Sequence, residues 1–249
     1  MGKSRVVFRT QLAPDIHKMT FDTDECGFTG PGQYALIKIG DQSRPYQVCD
    51  YDSNRYTIVF RSDGRGGSKL MDLEYGDEVE SITGLGRGFD VDSIPDGAVL
   101  VADSMGITEM LELARALLMR GKSFKAVLGY ADKDSIYMVD SFKNICSELE
   151  VLTLDGSNGR EGMASDGVRN AAYVCASGSP AMLKALSDKS SAGQFSLSEM
   201  MLLSDQREGD FTVEMLDGDV RFSSFGPVFD KSKVKWDTLS LEKWNKSTF

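Results

Sequence analysis

The hydrophobic pattern of this 249-residue chain changes character once, around Ile94, Pro95, Asp96 and Gly97. Before that point the apolar runs are short and separated by Gly, Pro and Asp turns: VVFRTQLAP, HKMTFDT, PGQYALIKI, RPYQVCDYD, RYTIVFRSD and DEVESITG. Alternation in Tyr34, Leu36, Lys38 and in Tyr56, Ile58, Phe60 gives strands with one buried face, and their regular spacing predicts a small antiparallel barrel or sandwich. The single helix signal in this half is SKLMDLEYGD. After the change, the strand-like runs AVLVAD, FKAVLGYA, EVLTLD and AAYVCAS alternate with helical segments. These helices are expected over Thr108 to Met119, where Gly121 ends the run, around Asp134 to Ser147, and in SPAMLKALSDK. Such alternation predicts a parallel sheet with helices on its faces. Beyond Gly193 regularity fades: residues 196 to 203 read as helix, and TVEML and DVRFSSF read as a hairpin across Asp217 and Gly218.

Composition narrows the function. A net charge of −10 argues against general binding to nucleic acid, whose phosphates are held by clustered Lys and Arg. No apolar run is long enough to cross a bilayer, and Met1 to Arg5 leads directly into a strand-like run without a secretory leader's apolar stretch, so a cytoplasmic protein is expected. Cys26, Cys49, Cys146 and Cys175 are scattered, with no CxxC pair, and read as free thiols rather than a zinc site or a disulfide framework. The sole histidine, His17, is expected on a strand edge and leaves little basis for a Ser-His or Cys-His scheme.

The candidate chemistry lies in the first half. Arg44 precedes Pro45, which biases its neighbour toward an extended conformation and so holds the arginine steadily. Tyr46 offers a ring and a hydroxyl. About twenty residues later comes Gly64, Arg65, Gly66, Gly67, Ser68, where two glycines let backbone N–H groups approach a phosphate and Ser68 can cap the following helix. Together they suit the pyrophosphate of a flavin nucleotide. Taken singly, a structural arginine beside a turn and a simple tight turn are the competing readings. A third glycine cluster, Gly84, Leu85, Gly86, Arg87, Gly88, is placed to line the same ligand.

PGQY, RPYQV, GRGGS, YGDEVESITGLGRGF and the closing GPVF resemble, in order and spacing, the electron transfer subunits of two-subunit, NAD-linked dihydroorotate dehydrogenases, members of the ferredoxin reductase superfamily. The resemblance implies an FAD-binding barrel over residues 1–95, a Rossmann-like NAD-binding-type domain over 96–192, and a C-terminal module over 193–249 equivalent to the family's iron-sulfur region. It implies FAD contacts at Arg44, Pro45, Tyr46, Gln47, Gly66, Gly67 and Ser68, and a catalytic or electron-accepting protein partner in a hetero-oligomer. Gln47 stands where the family usually has Ser or Thr, and keeps the capacity to hydrogen-bond.

The chain departs from the family at two other sites. VADSMGITEM puts Ala102, Asp103 and Ser104 where glycines are usual and Glu109 where Pro is usual. Side chains and like charge there work against a pyrophosphate, so ordinary NAD(H) binding is not expected. Cys175, Ala176, Ser177, Gly178, Ser179, Pro180 is longer by two residues than the family's Cys-Gly-Pro phrase. A [2Fe-2S] cluster needs four thiolates, yet Leu203, Glu208, Phe211 and Ser223 occupy the corresponding positions, so neither the cluster nor any other metal site is expected. Two readings stay open: an FAD-dependent electron transfer subunit, whose electrons can also come from a donor other than a nicotinamide, and a non-catalytic scaffold or regulatory paralogue. In the tail, Trp236, Leu239, Leu241 and Trp244 either dock a partner or fold back on the chain.

Overall fold

The computed structural model describes residues 2–63, 66–203 and 211–239. Strands β1 (Gly2–Ala13), β2 (Ile16–Thr23), β3 (Tyr34–Ile39), β4 (Gln42–Tyr51), β5 (Arg55–Arg61) and β6 (Glu78–Leu85) close an antiparallel barrel in the order β1-β2-β5-β4-β3-β6. A short helix α1 (Gly67–Met71) joins β5 to β6. Inward-facing Met19, Phe21, Ile37, Tyr56 and Ile58 fill the barrel, as the alternating pattern requires.

The second half forms a seven-stranded sheet. Its strands are β7 (Ala98–Asp103), β8 (Phe124–Tyr130), β9 (Glu148–Thr153), β10 (Arg160–Glu161), β11 (Ala171–Ser177), β12 (Ser190–Ser196) and β15 (Val228–Asp230), in the order β10-β9-β8-β7-β11-β12-β15. All neighbours are parallel except β15, which runs antiparallel to β12. The helices are α2 (Gly106–Met119), α3 (Val139–Lys143), α4 (Pro180–Ser187), α5 (Ser198–Leu203) and α6 (Phe222–Phe225). β13 (Thr212–Val213) and β14 (Val220–Arg221) make the expected hairpin. Alternate residues of β7 enter different cores: Leu100 and Ala102 pack with α2, and Val101 packs with α4 residues and the C-terminal strand. Burial on both faces explains why these strands read as continuous apolar runs.

Several local expectations are corrected. His17 is not at an edge: β2 lies between β1 and β5, so His17 pairs with Gln11 and Phe60, and its ring stacks on Phe60 at 5.8 Å. The helix expected over Asp134 to Ser147 shrinks to a turn at Lys133–Ser135 and α3. Asp132 caps that turn, Ile136 is extended, and Met138 takes a left-handed conformation, which breaks the helix between them. The expected boundary at 192/193 falls inside β12, where Phe195 opposite Phe229 builds the C-terminal residues onto the sheet. Trp236 folds back, packing edge-on against Phe195 at 5.4 Å and donating its indole N–H to the Lys231 carbonyl; Leu239 packs on the same core, and Leu241 and Trp244 lie outside the described residues.

Gly106 lets α2 approach β11, because a Cβ there would lie 2.0 Å from the Ser177 carbonyl oxygen. Gly106→Ala is expected to lose at least about 2 kcal/mol of stability through overpacking. Gly2→Ala, with nothing within 4 Å, is expected to stay within about 0.5 kcal/mol. Urea denaturation of the two variants measures both.

Candidate functional site

The sheet order reverses between β7 and β11, and the crevice outside the C-terminal ends of those strands is where open α/β sheets take ligands. Here β4 of the barrel faces it, with α2 and α5 packed against that strand. The candidate residues therefore sit along one seam.

At one end of the seam, Arg44 and Tyr46 converge on Gly66. Register places Arg44 opposite Ile37, Pro45 opposite Leu36 and Tyr46 opposite Ala35, with Pro45 and Tyr46 buried. Gly66 has φ 82°, and a Cβ on it would lie 2.6 Å from Arg44 Cδ and 2.8 Å from Tyr46 Oη. Glycine is needed there for both conformation and space. Arg44 Nε and Tyr46 Oη are buried without hydrogen-bond partners among the described residues, and burial pushes the Tyr46 hydroxyl up to about 12 despite the opposing effect of Arg44. Buried polar atoms of native proteins are nearly always paired, so two orphans beside a glycine opening have the chemistry to bind a polar ligand. Gly67 is fixed by packing, since a Cβ would overlap the Arg61 carbonyl at 1.8 Å. Ser68 does not cap α1. The cap is Gly66, and Ser68 lies exposed as the second residue of the helix, because the left-handed turn at Gly66 starts the helix earlier than the serine.

Further along, Gln47 joins a buried cluster that the sequence did not disclose. Its Nε2 donates to Glu109 Oε2 at 3.2 Å and to Ser198 Oγ. The same Glu109 oxygen accepts from Ser177 Oγ at 2.7 Å and Ser198 Oγ at 2.6 Å. Glu109 is 2% exposed, and burial raises its carboxyl above the usual carboxylate range against the pull of these donors. Ser177 and Ser198 went unrecognised as site residues; their signal was serine closing the apolar run AAYVCAS and following FSL, at the C-terminal end of the sheet.

At the crevice, the end of β7 is bonded to the cap of α4. Asp103 at the end of β7 accepts from Ser179 N and Ser179 Oγ, both at 2.6 Å, across to the cap of α4. A Cβ on the intervening Gly178 would meet Asp103 Oδ1 at 2.0 Å. Buried Glu199 on α5 is pushed up to about 8, by desolvation and by Asp103. In the third glycine cluster, Gly86, Arg87 and Gly88 line a cavity of about 480 Å³ with Thr29, Gln33 and Ser223. At the positions aligned with cluster cysteines, Phe211 stacks on Phe222 at 4.5 Å and Ser223 lines that cavity, while Glu208 and the Leu203 side chain lie outside the described residues. Cys49 and Cys175 are buried and Cys26 and Cys146 half-buried, all four as free thiols. No group of metal-ligating side chains occurs among the described residues, and no helix there is long and apolar enough to cross a membrane.

A carboxyl raised in the folded state binds its proton more tightly there than in the unfolded chain. Its contribution is present below the unfolded value and is lost as pH rises. Stability is therefore expected to fall between about pH 4.5 and 8, the interval set by Glu199, and Glu199→Gln is expected to flatten that slope. Urea midpoints measured at half-unit pH steps test this.

Against known proteins, no family model matches the chain. It is 30% identical over 258 residues to the dihydroorotate dehydrogenase B (NAD(+)) electron transfer subunit of Lysinibacillus sphaericus, covering 93% of this chain and 97% of that one. The like-named protein of Streptococcus mutans is 32% identical over 198 residues, 74% and 76% of the two chains. Among solved structures, that of an NADH-dependent reduced ferredoxin-NADP oxidoreductase superposes with a TM-score of 0.82 at 23% identity, over 98% of this chain and 96% of the other. Phthalate dioxygenase reductase gives 0.67 at 20% identity, over 88% and 75%. These structures share the barrel-plus-sheet fold, and the sequence relationship makes the chain a member of the dihydroorotate dehydrogenase B (NAD(+)) electron transfer subunit family.

Proposed function

We propose that this chain is an FAD-binding electron transfer subunit that exchanges electrons with a catalytic protein partner. The observation that carries the reading is the convergence of Arg44 and Tyr46, with unpaired buried atoms, on a glycine whose side chain would fill the space between them. The donors suit a pyrophosphate: the Arg44 guanidinium supplies positive charge, and Gly66 and Gly67 let the backbone come close. Pro45 holds the strand, Tyr46 adds its ring and hydroxyl, and Gln47 adds an amide. Ser68, exposed on α1, contributes through its hydroxyl at the rim. When bound, FAD supplies an acceptor and donor of electrons; the protein binds it, orients it and limits water around it.

The division of labour follows the three segments. Residues 1–95 hold FAD, 96–192 carry most of the Rossmann-like sheet, and the segment from 193 onward adds the end of β12, strand β15 and the seam residues Ser198 and Glu199. Two further expectations belong to the same reading. Asp103, bonded to Ser179 across the crevice, takes up the approach a dinucleotide pyrophosphate needs and adds negative charge beside it, so NAD(H) is not the ordinary donor. The residues aligned with cluster ligands offer no thiolate, so a [2Fe-2S] cluster does not fit and electrons pass to the partner without one. That same closed crevice favours, as a second reading, a scaffold or regulatory paralogue that retains the partner surface.

FAD titration, followed by quenching of its fluorescence, decides between them. The unmodified protein is expected to bind FAD, and Arg44→Ala and Gly66→Ala each to weaken binding at least tenfold, about 1.4 kcal/mol. Failure of the unmodified protein to take up FAD supports the scaffold. NADH is expected to bleach the bound flavin little; reduction at a catalytic rate contradicts the closed crevice.

A further inference from the structure

Gln47 and Glu109 are both departures from the family pattern, 62 residues apart, and they meet in a hydrogen bond across the seam. With Glu109 Oε2 as the common acceptor, the bonds around them set the direction of each donor. Ser177 and Ser198 give their hydroxyl protons to Glu109 Oε2, and Ser196 Oγ donates to Ser198 Oγ at 3.0 Å. The Ser198 oxygen, with its own proton committed, can only accept from Gln47. The side of the Gln47 amide facing α2 and α5 must therefore be its NH₂ group. Turned over, its carbonyl oxygen would face a carboxyl oxygen and a hydroxyl whose proton is already used.

The consequence lies at the other end of the amide. Gln47 is 2% exposed, and its Oε1 has no hydrogen-bond partner among the described residues. Leaving a buried acceptor unpaired destabilises the fold, a deficit that a ligand carrying a hydrogen at that point removes. A serine or threonine hydroxyl in this place can rotate to donate or accept; the Gln47 oxygen only accepts. The isoalloxazine ring changes its hydrogen-bonding character on reduction. Oxidised, it presents acceptors at N1, O2, O4 and N5 and one donor at N3. Taking up two electrons and two protons converts N1 and N5 into N–H donors, whereas N3–H is a donor in both states, so a redox preference arises where the acceptor meets N1 or N5.

We propose that Gln47, with its amide held by Glu109 and its Oε1 meeting N1 or N5 of the flavin ring, is a specificity-determining residue that selects reduced over oxidised flavin. Glu109 acts through Gln47 and is a positioning residue. The inference rests on the flavin reading above and adds a redox preference to it, since hydrogen bonds to ring nitrogens are among a protein's means of tuning a flavin.

The test compares the Kd of FAD with that of dithionite-reduced FAD, anaerobically at one pH, for the unmodified protein and for Gln47→Ser. The unmodified protein is expected to bind the reduced form at least tenfold more tightly, which raises the two-electron potential of bound FAD by about 30 mV relative to free FAD. Gln47→Ser is expected to lose most of that preference. Glu109→Gln, which still turns an oxygen toward the three donors, is expected to keep it within about threefold, and Glu109→Leu to lose it. Circular dichroism checks that each variant folds, and the ratio for the unmodified protein stands without any of them. A ratio at or below one, or a ratio unchanged in folded Gln47→Ser, overturns the inference and leaves the flavin reading intact. No uptake of either form by the unmodified protein overturns both.

Discussion

The Glu109 carboxyl is the point at which four parts of the chain meet. It stands on α2, receives β4 through Gln47, β11 through Ser177 and α5 through Ser198, and is nearly removed from solvent. Taking a carboxyl out of water is costly, and three donors on one oxygen offset part of that cost only while barrel, sheet and C-terminal segment keep their relative places. Small residues allow the approach: Gly106 brings α2 against β11, and Gly32 passes so close to Glu109 that a Cβ would lie 3.0 Å from Oε1. Glu112, three residues further on α2, receives the Gly32 N–H and is raised by burial and by its proximity to Glu109. Buried acids and close backbone contact thus define the seam together.

Along that seam one end is prepared to receive something and another is closed upon itself. The Arg44, Tyr46 and Gly66 end has a buried donor and a buried hydroxyl without partners among the described residues. The Asp103 and Ser179 end satisfies its own groups across the strand ends where a nucleotide would enter an open sheet. The same fold therefore carries a site where Arg44 Nε and Tyr46 Oη lack partners among the described residues and a crevice where Asp103 is bonded to Ser179. This difference, rather than likeness of fold, supports the assignment of flavin to the first and disfavours a nicotinamide at the second.

Much of the architecture was legible because it depends on local pattern. Period-two alternation marked the barrel strands, apolar runs marked strands buried on both faces, and Gly121 marked the end of α2. The pairing of Arg44 and Tyr46 with the glycine-rich turn was also legible, since each element needs glycine, proline or arginine for a local reason. The Gln47–Glu109 contact was not, because it joins residues whose meeting is decided by how barrel and sheet dock. Glu109 lies in the first turn of α2, where an acid suits the helix dipole, and nothing in its local sequence signals that it is buried. His17 and Ser68 were misplaced for related reasons: barrel closure removes the edge on which His17 was expected, and a left-handed Gly66 moves the helix start upstream of Ser68.

A crystal structure of the protein grown with FAD tests the central claim most directly. The account predicts the pyrophosphate within hydrogen-bonding distance of the Arg44 guanidinium and the backbone N–H groups at Gly66 and Gly67, with the ring edge toward Gln47. FAD bound elsewhere, or absent from crystals grown at saturating concentration with that end of the seam filled by protein side chains, would contradict it.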